Sequence, residues 1–189
     1  AMSFSAFDHQ CMASALRLAR KGLETTHPNP RVGCVISRDG MVVGTGWHER
    51  AGEAHAEVFA LREAGERAVG GTAYVTLEPC SHVGRTPPCV DALIKAQVAR
   101  VVFAIGDPNP AVNGNGAQRL QQAGIEVQGG LLAVQAETLN AGFLKRMREA
   151  RPWVRIKLAQ SIDGHVALAN GSSRWISGAE ARADVQRWR

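Results

Sequence analysis

Apolar residues recur along this chain with two periods, and the switches between the periods divide it into elements. Phe7, Cys11, Ala15, Leu18 and Ala19 fall three and four apart, which predicts a helix closed near Gly22. Cys11 is read there as core and His9 as a solvated or capping side chain. Residues 25–30 hold too much proline for helix or central strand. Residues 32–36 and Met41–Trp47 are apolar runs joined across Asp39-Gly40, a hairpin signal, with Cys34 buried and inert in mid-strand. Helical spacing returns in Ala56–Ala64, with His55 and Glu57 expected in the first turn. Residues 73–77 and Arg100–Ile105 are short, apolar and β-branched, hence buried strands. The helical stretch opening near Cys89 between them implies a parallel crossover. A helix from Gly114-Asn-Gly116 through Leu120, a short strand at 125–127 and one long amphipathic helix over 131–147 follow. Past Arg151-Pro152 the pattern predicts a strand at 153–159, a turn at 161–164, a second short run at 165–168 and a last helix after Trp175-Ile-Ser177.

At 189 residues this succession fits one full domain of about 150 residues and a remainder too small to bury its own core. Alternating strands and helices imply an α/β architecture. With 45% hydrophobic and 21% charged residues the chain is globular. No apolar run reaches the roughly 18 residues that span a bilayer and no signal-peptide pattern opens the chain, so a cytoplasmic location is expected and no membrane partner. The net charge of +5 is unevenly spread: residues 1–144 hold 12 basic and 13 acidic side chains, and residues 145–189 hold 10 and 4. A domain that gripped a polyphosphate backbone would carry the basic face itself. A small-molecule substrate, and no nucleic acid, is therefore expected for the first 144 residues.

The four cysteines are too few for a disulfide scaffold, and two of them stand with a histidine in an arrangement that favours metal. His55-Ala-Glu57 precedes a strand that ends in Glu78-Pro79-Cys80, with Cys89 at the start of the next helix. The order H-x-E followed by P-C and a second cysteine is the established signature of zinc deaminases. Here eight residues separate Cys80 and Cys89 where the general signature has two. Three protein donors, His55, Cys80 and Cys89, are the count of a catalytic zinc, since structural zinc is usually closed by four. Glu57, two residues from the imidazole, is left as a proton carrier. A non-catalytic zinc module closed by His82 or Cys34 is the competing reading. His27-Pro-Asn29-Pro and Asp107-Pro-Asn109-Pro stand at two loops near strand ends, either as rigid turns or as mounts for Asn29, Asp107 and Asn109 against a polar substrate. Gly114-Asn-Gly116 lacks the third glycine of a dinucleotide fingerprint and is read as a turn.

Thr26-His-Pro-Asn-Pro30, His55-Ala-Glu57, Glu78-Pro-Cys-Ser-His82, Gly84-Arg-Thr-Pro-Pro-Cys89 and Asp107-Pro-Asn-Pro110 together make the chain resemble the bifunctional pyrimidine deaminase/reductase family of riboflavin biosynthesis. The resemblance runs over essentially all 189 residues, and the long insert between the cysteines looks like that family's own form. It implies a three-layer α/β/α cytidine-deaminase-like domain over residues 1–146, with zinc on His55, Cys80 and Cys89 and Glu57 as proton shuttle. The implied reaction is hydrolysis of the 2-amino group of 2,5-diamino-6-(5-phosphoribosylamino)pyrimidin-4-one. Asn29, His48, Arg85, Asp107 and Asn109 match positions that hold the pyrimidine and ribose phosphate. Residues 147–189 look like the opening of a dihydrofolate-reductase-like domain that uses NADPH. Within it the resemblance places Ala159 and Trp175 against NADPH and Ser173 and Arg189 against substrate. That domain is expected to be incomplete here and its reduction lost. A homo-oligomer is expected. A deaminase of another nucleoside, base or tRNA adenosine is the alternative.

Overall fold

The computed structural model describes residues 3–82, 87–108 and 114–187. It divides into two compact units, Ala1–Pro152 and Trp153–Arg189. The break expected at 146/147 lies inside a helix.

In the first unit, helix α1 (Ala6–Ala19) is opened by Ser5, whose hydroxyl accepts from the Asp8 N–H while the Asp8 carboxylate accepts back from the Ser5 N–H. Such a reciprocal cap satisfies two of the helix's unpaired donors. The hairpin of β1 (Gly33–Arg38) and β2 (Met41–Trp47) forms as its pattern predicts. Asp39 and Gly40 both take positive φ, 50° and 76°, the backbone of the tight turn whose twist matches the strands. Helix α2 (Ala56–Ala64), β3 (Thr72–Leu77), α3 (Cys89–Lys95), β4 (Arg100–Ile105), α4 (Asn115–Gln122) and β5 (Glu126–Gly129) follow in order.

The strands make one sheet in the order β2-β1-β3-β4-β5. β1 runs antiparallel to both neighbours, whereas β3, β4 and β5 are parallel. Alternate residues of each strand point to opposite faces, so one cluster joins Cys34, Ile36, Ala73, Val75 and Val101 to Ala56, Ala60, Val90, Leu93 and Leu120 of α2–α4. The other joins Val35, Tyr74, Val102 and Ala104 to Cys11, Met12 and Ala15 of α1 and to residues of the C-terminal helices. Both faces are covered, as a sheet rich in parallel strands requires. Helix α2 lies so close to β2 that a Cβ on Gly44 or Gly46 would fall 2.2 Å from Ala60 O or 2.3 Å from Ala56 O. Those two glycines set the depth at which the start of α2 meets the sheet.

Two expectations are corrected. The single helix over 131–147 is two, α5 (Ala133–Leu139) and α6 (Ala141–Glu149), broken at Asn140. The Asn140 amide is 2% exposed, accepts the Arg31 N–H at 2.8 Å and donates to Arg31 O at 2.9 Å. It pairs with a backbone segment as a strand would, and amphipathic spacing does not reveal that obligation. In the second unit, 153–159 and 165–168 are not strands. Val154, Ile156 and Leu158 are exposed, and no neighbouring strand pairs with them among the described residues. β propensity alone does not hold a strand whose backbone groups lack a ladder partner. The last expected helix is present as α7 (Ala179–Arg187). No helix among the described residues is long and apolar enough to cross a membrane.

Candidate active site

The sheet order brings four loops to one edge. The parallel strands β3 and β4 end there, and because β1 is reversed, its start and the end of β2 lie at the same edge. Asn29 before β1, His48 after β2, Cys80 after β3 and Asp107 after β4 converge on a pocket of about 210 Å³ that also includes His55, Glu57, Glu78 and His82. Ligand sites form at the carboxyl ends of parallel strands for this reason.

His55 is the N-cap of α2 and so stands one position before the first turn expected to hold it, whereas Glu57 does lie in that turn. Cys89 is the first residue of α3, after Pro88. His55 Nδ1 lies 3.1 Å from Cys89 Sγ and 3.6 Å from Cys80 Sγ, and the Cys89 N–H points at Cys80 Sγ across 3.4 Å. The three ligand atoms all fall within 4.8 Å of one another. The hydrogen bond from the Cys89 thiol depresses the Cys80 pKa, and donating it, together with burial, raises that of Cys89. His55 is raised, first by its hydrogen bond to Cys80. Groups that share protons in this way are a donor set of one imidazole and two thiols, which suits zinc. Glu57 is buried, its carboxyl is shifted upward by desolvation, and its Oε2 has no hydrogen-bond partner. A buried acceptor without a donor is costly, so Glu57 Oε2 is open to a polar group that the protein itself does not supply. The site therefore fits a metal with a free position beside Glu57. Neither His82 nor Cys34 belongs to the donor group among the described residues. Cys34 is fully buried in β1, and its thiol is raised by that burial.

The walls are polar on one side and apolar on the other. Asn29 Nδ2 donates to His48 Nε2 at 3.1 Å, and His48 Nδ1 donates to Ala54 O at 3.1 Å. Burial lowers the His48 pKa, so it stands neutral beside His55, the two rings meeting edge to face at 5.4 Å. Asp107 is buried in the wall. Phe143 and Met147 of α6 supply the apolar side, which the sequence reading missed; the only available signal was the amphipathic spacing of 131–147. Helix α6 is tied to the Asn29 loop, since Arg146 donates to Pro28 O at 2.6 Å.

Of the residues expected from sequence, Asn29, His48, His55, Glu57, Cys80, Cys89 and Asp107 come together. Arg85, Asn109 and Arg189 lie outside the described residues. Ala159, Ser173 and Trp175 lie in the second unit, where Trp175 is exposed with the Arg182 guanidinium 3.9 Å from its ring centroid and Ser173 donates to Val166 O.

Residues 5–105 match the cytidine and deoxycytidylate deaminase zinc-binding region, and residues 152–189 match the RibD C-terminal domain. The riboflavin biosynthesis protein RibD of Escherichia coli K12 is 63% identical over 95% of this chain and 49% of its own length. That of Haemophilus influenzae is 55% identical over 100% of this chain and 50% of its own. The chain thus spans about half the length of the curated relatives it matches. Among solved structures, Acinetobacter baumannii RibD superposes with a TM-score of 0.90 at 57% identity, covering 97% of this chain and 51% of that one.

Proposed function

Because the chain belongs to the cytidine and deoxycytidylate deaminase zinc-binding family, we propose that its first unit removes the 2-amino group of 2,5-diamino-6-(5-phosphoribosylamino)pyrimidin-4-one by hydrolysis, as the deaminase part of a riboflavin-biosynthesis protein. The observation that carries this reading is the three-donor cluster with the buried Glu57 carboxyl beside it, whose Oε2 has no hydrogen-bond partner. His55, Cys80 and Cys89 would hold the zinc, which would supply a Lewis acid able to bring the pKa of water down toward about 7. Glu57 takes a proton from the attacking water and passes it to the ring nitrogen, then takes the second proton from the added hydroxyl and passes it to the departing amine, which leaves as ammonia. Burial shifts the Glu57 carboxyl upward, which suits a group that must both take and give a proton. His48, kept neutral and fixed by Ala54 O, orients the Asn29 amide, and Asn29 and Asp107 meet the polar edge of the pyrimidine. Phe143 and Met147 give a face against which a planar ring can pack, excluding water from it.

The outer contacts follow family resemblance: Arg85 and Asn109 match positions that hold the pyrimidine and ribose phosphate, and the Arg85 guanidinium suits a phosphate. In the same reading the second unit is the opening of an NADPH-dependent reductase half, with Ala159 and Trp175 toward NADPH and Ser173 and Arg189 toward its substrate. A homo-oligomer in the cytoplasm belongs to the same proposal.

The test is ammonia release by zinc-loaded protein from the diaminopyrimidinone phosphate, with cytidine and guanine in parallel. Preference for the phosphorylated pyrimidinone supports the assignment. Turnover of cytidine or guanine instead leaves the chemistry and refutes the substrate, and zinc binding with no turnover of any substrate refutes the enzyme.

A further inference from the structure

Glu78, in the Glu-Pro-Cys segment that ends β3, does not touch the metal donors, yet its carboxylate is among the most heavily used polar groups of the site. It is 4% exposed and accepts three backbone N–H groups: Asp107 at 3.3 Å and Gly114 at 3.1 Å on Oε2, and Ala117 at 3.1 Å on Oε1. Ala117 is the third residue of α4, whose N-cap, Gly114, has no side chain to satisfy that donor. The hydrogen bond an N-cap Ser or Asp would make within its own helix is thus made by a residue from the neighbouring strand end, and a carboxylate suits the positive end of the helix. The glycines serve this approach. Gly114 takes φ +77°, and a Cβ on Gly116 would fall 2.1 Å from Pro79 O and 3.2 Å from Glu78 Oε1. The glycine pair that resembles part of a phosphate loop is therefore a seat for a carboxylate of the protein itself.

Two consequences reach the site. The same oxygen that caps α4 holds the backbone of Asp107, a residue of the pocket wall. Helix α4, once seated, presents Arg119, which donates to Ser81 O at 2.9 Å and to Asp91 Oδ1 at 2.6 Å. Ser81 follows Cys80, and Asp91 lies two residues after Cys89 in α3. We propose that Glu78 is a positioning residue for the deamination site: its carboxylate fixes Asp107 in the substrate wall and, through α4 and Arg119, braces the segments that carry both cysteines. The substrate part of this inference rests on the function proposed above, whereas the structural part does not.

Glu78→Gln replaces an acceptor oxygen with an NH2 that opposes N–H donors, and Gly116→Ala leaves Glu78 intact while pushing α4 off its seat. Both are made in the full 189-residue chain, loaded with zinc. The first readout is amide hydrogen exchange, which needs no substrate. Hydrogen bonds to a charged acceptor are worth enough that protection of Asp107, Gly114 and Ala117 should fall about tenfold or more in both variants, with Val35 and Val102 of the sheet unchanged. The second readout is kinetic: KM for the substrate should rise about tenfold with kcat within about threefold, the mark of lost ground-state positioning. Unchanged exchange at the three amides, or exchange loosened uniformly with KM unaltered, overturns the proposal. If the unaltered protein deaminates no tested substrate, the function above fails while the exchange result still decides whether Glu78 seats this segment.

Discussion

Glu57→Gln separates a chemical role from a structural one, because the structure gives Glu57 little to do in holding the fold. The side chain is 3% exposed, and its Oε2 has no partner. A buried polar atom left unpaired costs about 1–3 kcal/mol. The glutamine NH2 that replaces Oε2 inherits a similar cost, so the difference in stability should stay within about 1 kcal/mol, or about 2–4 °C in Tm for a domain of this size. The donors for the metal, His55, Cys80 and Cys89, are untouched, and zinc stoichiometry should remain that of the parent. Turnover should fall by about 10²–10⁴, the usual share of a positioned proton-transfer group. The assay is ammonia release at saturating substrate, with metal content and thermal unfolding measured on the same preparations. Activity within tenfold of the parent at full zinc occupancy would refute Glu57 as proton carrier. A large loss of stability or zinc would show that Glu57 supports the cluster rather than the chemistry.

Cys80→Ala should abolish stoichiometric zinc binding and, because metal binding adds to folding stability, remove the rise in Tm that zinc gives the parent; a Tm that still rises with zinc to the parental extent excludes Cys80 as a ligand. Asp8→Asn should destabilise by about 2–4 kcal/mol at pH 7, because the Asp8 carboxylate accepts from Tyr74 Oη and Arg100 Nη1, each at 2.8 Å, in a buried site. Burial alone would raise the pKa of Asp8, but the Arg100, Ser5 and Tyr74 donors hold it well below the ordinary range. Its stabilisation is thus fully present above about pH 4 and is lost as pH falls toward the depressed value. Urea unfolding should show the parent and variant converging in acid; a gap that stays constant from pH 7 to pH 3 contradicts this. Asn140→Ala removes the side-chain hydrogen bonds to Arg31 N–H and C=O and should cost about 1–3 kcal/mol, with KM raised through the Asn29 loop, measured by unfolding and steady-state kinetics.

The chemistry of this site was legible in the sequence because it depends on residue types at fixed offsets along single elements. His55 and Glu57 share one helix start, and Cys80 and Cys89 flank one loop, so the donor set could be assembled before any tertiary contact was known. The hairpin and the β3-α3-β4 crossover were readable for the same reason, since their periods and turn residues are local. What was hidden depends on partners distant in the chain. The break at Asn140 answers to Arg31, 109 positions away. Glu78 was read only as part of a motif, because its three donors lie 29 to 39 residues further on. The expected strand at 153–159 fails in the opposite sense: its residue types are right, but a strand requires a neighbour, and the sequence of one segment does not supply it.

The metal cluster and the walls of the pocket have different origins in the fold. The donors come from the starts of α2 and α3 and the end of β3, elements held by a continuous apolar cluster that includes Ala56, Ala60, Val75, Val90 and Leu93. The walls come from loops and from α6, fastened by individual hydrogen bonds: Asn29 to His48, Arg146 to Pro28, Asn140 to Arg31 and Glu78 to Asp107. Packing of many small side chains tolerates no gradual change, whereas single hydrogen bonds can be exchanged one at a time. Under the function proposed above, the same zinc chemistry could therefore be kept on this sheet while the wall is rebuilt for a different ring, and the identity of the substrate would be written in Asn29, His48, Asp107, Phe143 and Met147 rather than in the metal donors.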